Sequence, residues 1–149
     1  MKNAERIKRF TSLLKLYRAR EQTLVKKLRA AQAAHQREAA QLGNLDALRV
    51  EYRDQLSSAA ETGVSGAQLK NWRRFMHGLD ELRREQQERT ARTAAAQDLR
   101  KGDWLAGHRR VRGFESLDEK LKADGRAAEA RSEQKRMDDI ASRSGKSRT

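Results

Sequence analysis

Apolar side chains recur at alternating steps of three and four along most of the chain, the spacing that turns one stripe toward a partner helix in a supercoil. In the first part the stripe runs through Ile7, Phe10, Leu14, Tyr17, Glu21, Leu24, Leu28, Ala31, His35, Glu38, Leu42, Leu45, Arg49, Tyr52, Leu56 and Ala59. It is interrupted at His35 and Glu38, inside the alanine-rich stretch Ala30 to Ala40, where a loose seam is expected. A second stripe, phased independently from Leu69, passes through Trp72, Met76, Leu79, Arg83, Gln86, Thr90, Thr93, Gln97, Arg100, Trp104, Gly107, Val111, Phe114 and Leu121. Leu82 and Leu99 fall beside it. Its middle, Arg83 to Gln97, is poor in apolar residues, and Gly102, Gly107 and Gly113 each cost a helix about 1 kcal/mol relative to alanine.

Between the stripes lies Glu61-Thr62-Gly63-Val64-Ser65-Gly66. Its two glycines release the backbone from helical dihedrals. Ser65 followed three residues later by Gln68 is a capping-box signature, so a helix restarts at Gly66. Two long helices with so short a connection bury their stripes by folding back antiparallel. That pairing sets Leu56 against Trp72, Tyr52 against Phe75 and Met76, Leu24 against Trp104, Tyr17 against Val111, Phe10 against Leu117 and Ile7 against Leu121. The polar middle of the second helix then falls opposite His35 and Glu38. The expected fold is all-α, a long antiparallel two-helix coiled-coil hairpin paired over roughly 80 Å. Its first helix covers about 4–60, the turn about 61–66 and the second helix about 66–142, with 143–149 a disordered tail.

Composition sharpens this picture. The 149 residues are 36% hydrophobic and 37% charged, with no proline and no cysteine, and the mean hydropathy is −1.03. Such a chain is too polar for a thick globular core, whereas a two-helix seam needs less. The absence of cysteine excludes disulfides and thiol chemistry. The opening segment is charged and amphipathic, without the apolar run of a signal peptide or spanning helix, so a cytoplasmic location is expected.

Charge is unevenly placed. Residues 1–30 hold ten Lys or Arg against two Glu, and residues 100–113 hold five against one Asp, while residues 44–83 balance at six against six. Folded back, the first two segments lie side by side. A cationic open end and a neutral turn end are expected, out of a net charge of +13. A surplus so concentrated suits an acidic partner, either nucleic acid or a negatively charged protein surface.

Chemistry is hard to find. His35, His77 and His108 show no metal-ligand spacing and have no cysteine companions. Gly63-Val64-Ser65-Gly66 lacks the Lys-Ser/Thr continuation of a phosphate-binding loop. Asp80-Glu81 and Asp138-Asp139 sit on solvated helix faces with nothing to desolvate them. No catalytic residue, metal site or cofactor is expected, and Tyr52, Trp72, Phe75, Met76 and Trp104 read first as seam residues.

Glu51-Tyr52-Arg53, Leu56, the Gly63-Val64 turn, Trp72, Phe75, Leu79 and Glu81 together resemble the turn region of FliJ, the flagellar type III export family. Gln134-Lys135-Arg136-Met137-Asp138-Asp139 resembles that family's C-terminal block. The resemblance implies a stalk-like coiled coil inserted in the hexameric ring of the export ATPase FliI. It also implies binding to the export gate protein FlhA, escort of flagellar export chaperones, and contact with the inner membrane through partners only. The family's gate-contacting surface falls on Gln41, Leu45, Tyr52, Phe75 and Leu79. Leu48 stands where an aromatic is typical, Leu82 where the residue is smaller, and Gln86 where some members carry histidine. Joined to the charge pattern, it places Lys8, Arg9, Lys15, Arg18, Arg20, Arg109, Arg110 and Arg112 toward the ATPase ring, with no nucleic acid expected. Two alternatives stay open: the stalk of a virulence injectisome, and a nucleic-acid-binding coiled coil favoured by a pI near 10.7 but lacking a readout motif.

Overall fold

The computed structural model describes residues 2–146. Two helices account for nearly all of them: α1, Lys2–Thr62, and α2, Gly66–Lys146. The turn follows from local chemistry. The Thr62 hydroxyl donates to the Ala59 carbonyl at 3.0 Å, and the Gly63 N–H reaches the Ala60 carbonyl at 3.4 Å. Gly63 then takes a φ of +94°, a left-handed conformation that costs any residue with a Cβ. Ser65 and Gln68 cap α2 reciprocally: the Gln68 N–H donates to Ser65 Oγ and the Ser65 N–H to Gln68 Oε1, both at 3.2 Å. Of the two turn glycines only Gly63 needs its freedom, because Gly66 is already helical.

Contacts divide the chain into two units, Leu24–Trp104 and the residues up to Thr23 taken with those from Leu105 onward. Within Leu24–Trp104, Tyr52 meets Trp72 edge-on at 5.7 Å and Phe75 at 4.6 Å between ring centroids. Leu79 is buried there, at 4% exposure. Stepping back along α1, Arg49 pairs with Asp80 at 3.0 Å, Asp46 with Arg83, Glu38 with Gln86 and His35 with Thr93 at 3.2 Å. Falling numbers on α1 meet rising numbers on α2, so the pair is antiparallel. In the other unit the same order holds: Glu21 binds His108 at 2.7 Å, Arg18 binds Glu115 at 3.2 Å, and Leu14 and Val111 are buried.

Every seam residue predicted in α1 is at least partly covered, and so is every one in α2 except Leu69. Four details differ from expectation. Phe10 meets the Phe114 ring, on which Tyr17 stacks at 4.7 Å, with centroids 5.6 Å apart, while Leu117 stays half exposed. One aromatic thus serves two, since offset and edge-on ring contacts add to area burial. Ile7 reaches Gly125, with its Cδ1 3.8 Å from where a Cβ would stand there, one turn past Leu121. The stretch around His35 and Glu38 is polar but not loose: the Gln86 amide and the Thr90 hydroxyl both donate to the Glu38 carbonyl, at 3.0 and 3.3 Å. Finally α2 continues through 143–146, part of the expected tail, because no proline stops it and Arg143 and Lys146 sit favourably at its carbonyl end. Residues 147–149 of that tail lie outside the described residues.

Replacing Gly63 by alanine should lower stability by about 1–2 kcal/mol, the cost of a left-handed residue with a Cβ. Gly66→Ala, in helical backbone with open space at its Cβ, should be neutral or stabilising by up to about 1 kcal/mol. Urea denaturation followed by circular dichroism checks both.

Candidate functional site

Near the turn, the aromatic contacts leave a shallow cleft of about 210 Å³ lined by Tyr52, Asn71, Trp72 and Phe75. Packing decides its form: Tyr52 is held between the Trp72 and Phe75 rings, and Phe75 remains 44% exposed. A second groove of about 280 Å³ in the same unit is lined by Gln41, Asn44, Leu45 and Leu48, with Gln86 beneath. Of the residues predicted to meet the gate, Gln41, Leu45 and Leu48 therefore share one groove and Tyr52 and Phe75 share the cleft. Leu79 does neither. It is buried in the seam, so it supports this surface and offers a partner no contact of its own.

Asn71 and Trp72 were not predicted as lining residues. The signal was present in the spacing: Asn71 lies four before Phe75 and so shares its helix face. Leu82, beside the seam, is 55% exposed and extends the apolar surface of α2.

The cationic residues lie in the other unit. Lys8, Arg9, Lys15, Arg18, Arg20, Arg109, Arg110 and Arg112 are all exposed. Lys8 and Arg9 border a groove of about 510 Å³ with Ser12, Leu13 and Leu16. Leu13 and Leu16 are exposed leucines outside the predicted stripe, and their displacement from it was the one available sequence cue. Arg18 is engaged by Glu115. Arg20, from α1, and Arg110, from α2, both lie over the Tyr17 ring, at 5.3 and 5.6 Å from its centroid. Such a contact is worth about 0.5–1 kcal/mol at an exposed site, enough to orient a guanidinium but not to discharge it.

The three histidines are separately occupied. His35 meets Thr93, His77 meets Glu81 at 3.2 Å, and His108 meets Glu21. Among the described residues no group of His, Asp and Glu side chains is arranged to hold a metal ion. No described helix is long and apolar enough to cross a membrane.

Two helices packed antiparallel through a thin seam, with an apolar surface near the turn and a cationic one in the other unit, define a helical-hairpin coiled-coil protein. The chain matches the family model described as Flagellar FliJ protein over residues 6–149 and belongs to that family. It is accordingly a component related to flagellar protein export, in a family of structural rather than enzymatic members. No curated protein and no solved structure matches the chain.

The different burial of Leu79 and Phe75 should show in stability. Leu79→Ala should cost about 2–3 kcal/mol, as for a leucine removed from a core. Phe75→Ala should cost about 1 kcal/mol, the ring contact with Tyr52 and little more. Urea unfolding midpoints at constant m-value distinguish the two.

Proposed function

We propose that this protein is the stalk-like coiled coil of the flagellar export ATPase, linking the FliI hexamer to the export gate protein FlhA and escorting emptied export chaperones. It works in the cytoplasm and meets the inner membrane through those partners. The observation that carries the reading is that two unlike surfaces belong to different units of the chain. The exposed cations from Lys8 to Arg20 and Arg109 to Arg112 belong to one unit, and the Tyr52–Phe75 cleft with the Gln41–Leu48 groove belongs to the other.

The chemistry of each surface suits its assignment. Long-range charge attraction steers a docking partner and fixes its orientation while demanding few specific contacts, which suits a shaft that meets six equivalent subunits in turn. Apolar clefts with an exposed aromatic rim give a defined contact whose strength is concentrated in a few side chains. The gate would fill the Tyr52–Phe75 cleft, with Gln41 and Asn44 supplying hydrogen bonds at the neighbouring groove. Leu79 holds the floor.

Two sets of variants test this. Tyr52→Ala combined with Phe75→Ala should weaken binding to FlhA about tenfold or more, the loss of two aromatic contacts at the cleft, while leaving stimulation of FliI intact. Reversing the charge of Lys8, Arg9, Lys15 and Arg18 to Glu should abolish stimulation of FliI at low salt and leave FlhA binding intact. Titration calorimetry and ATPase rate measure the two. Unchanged stimulation at low salt, where surface charge acts most strongly, would remove the docking role from these residues.

A further inference from the structure

We propose that Arg20 and Arg110 form a two-armed site for a single oxyanion, held ready by Tyr17. The inference rests on the geometry around that ring, and it deepens the reading of the cationic surface as the ATPase-facing one by naming what the partner must present. Tyr17 is fixed by stacking on Phe114, which Phe10 meets edge-on. Guanidinium groups from the two helices lie over the same ring, 5.3 and 5.6 Å from its centroid. Two like charges are thereby kept together across the seam.

Among the described residues neither Arg20 nor Arg110 makes an ion pair. The acids nearest in sequence are already engaged, Glu21 by His108 at 2.7 Å and Glu115 by Arg18 at 3.2 Å. Among the described residues neither guanidinium donates a hydrogen bond, so both forks keep donors free for an incoming acceptor. Planar forks of this kind bind carboxylate and phosphate oxygens in pairs, and two brought from different helices suit an oxyanion lodged between them. Because the donors come from both helices, the site exists only when α1 and α2 are in register here. An anion bound there ties the two strands together.

The oxyanion is either a glutamate or aspartate side chain on a docking protein or a phosphate group, and the test separates these sources. Arginine Nε–Hε resonances of the full chain are followed by NMR at fixed ionic strength. One titration uses inorganic phosphate and another a terminally blocked tetraglutamate peptide. The expected result is one saturable isotherm shared by Arg20, Arg110 and the Tyr17 ring. Arg20→Gln or Arg110→Gln weakens it about tenfold, the worth of a charge-assisted hydrogen bond. Arg6→Gln, an equal loss of charge in the same unit, weakens it less than about twofold. Tighter saturation by the peptide identifies a protein carboxylate, and tighter saturation by phosphate identifies a phosphate group. Arg110→Lys, which keeps the charge and loses the fork, guards against a folding defect and should still weaken binding. Shifts spread over all arginines without saturation, or an equal loss in Arg6→Gln, overturn the proposal. A normal isotherm in a protein that fails to stimulate FliI would sink the stalk reading and leave this site standing.

Discussion

Everything in this protein depends on α1 and α2 covering each other's stripe. A helix as polar as either would be marginal alone, because propagation in water gains little per residue and stability comes from burying one face. Here that face is narrow. Among the described residues only Leu14, Leu79 and Val111 of the apolar side chains are buried, at 3–4% exposure, so aromatic contacts and polar pairs across the seam do much of what a thick core does in a globular domain. The same economy leaves most of both helices exposed and available to partners.

Within Leu24–Trp104 the polar stretch gives the seam its register. Gln86 is buried at 6% exposure, and its amide donates to both the backbone carbonyl and the carboxylate of Glu38. Sliding either helix by a turn would strand these groups without partners, which costs more than the lost apolar contacts in so thin a seam. A single polar residue at a seam position is a known way to specify alignment at some expense of stability. Arg49 and Arg83 with Asp80 and Asp46 extend the same logic toward the turn, and His35 with Thr93 extends it away from the turn.

Much of this was legible in the sequence because a heptad pattern is a one-dimensional code: it fixed which residues face inward, and the Gly63 and Ser65–Gln68 signals fixed where the chain turns. What escaped it depends on the size and chemistry of particular side chains. Counting positions cannot show that Phe114 is wide enough to serve both Phe10 and Tyr17. Asp118, four after Phe114 and three before Leu121, does stand at a seam step by count; its burial despite its charge, and its tether to Lys122 at 3.0 Å, are what the count leaves out. The resemblance put Leu79 on the gate-contacting surface while its stripe placed it in the seam, and it is buried there. The Tyr52–Phe75 cleft was half visible: the aromatics stood out and the spacing put Asn71 on the face of Phe75, but that Tyr52 closes against them to form a cleft shows only once the helices are laid together.

The antiparallel pairing itself is open to direct measurement. The chain has no native cysteine, so spin labels at cysteines introduced in place of Arg18 and Glu115 report one distance. Diluted with unlabelled protein, the pair should lie roughly 10–20 Å apart, an interhelix spacing plus the reach of two labels. A separation of many tens of ångströms, approaching the roughly 145 Å that a continuous helix would set between them, would contradict the account.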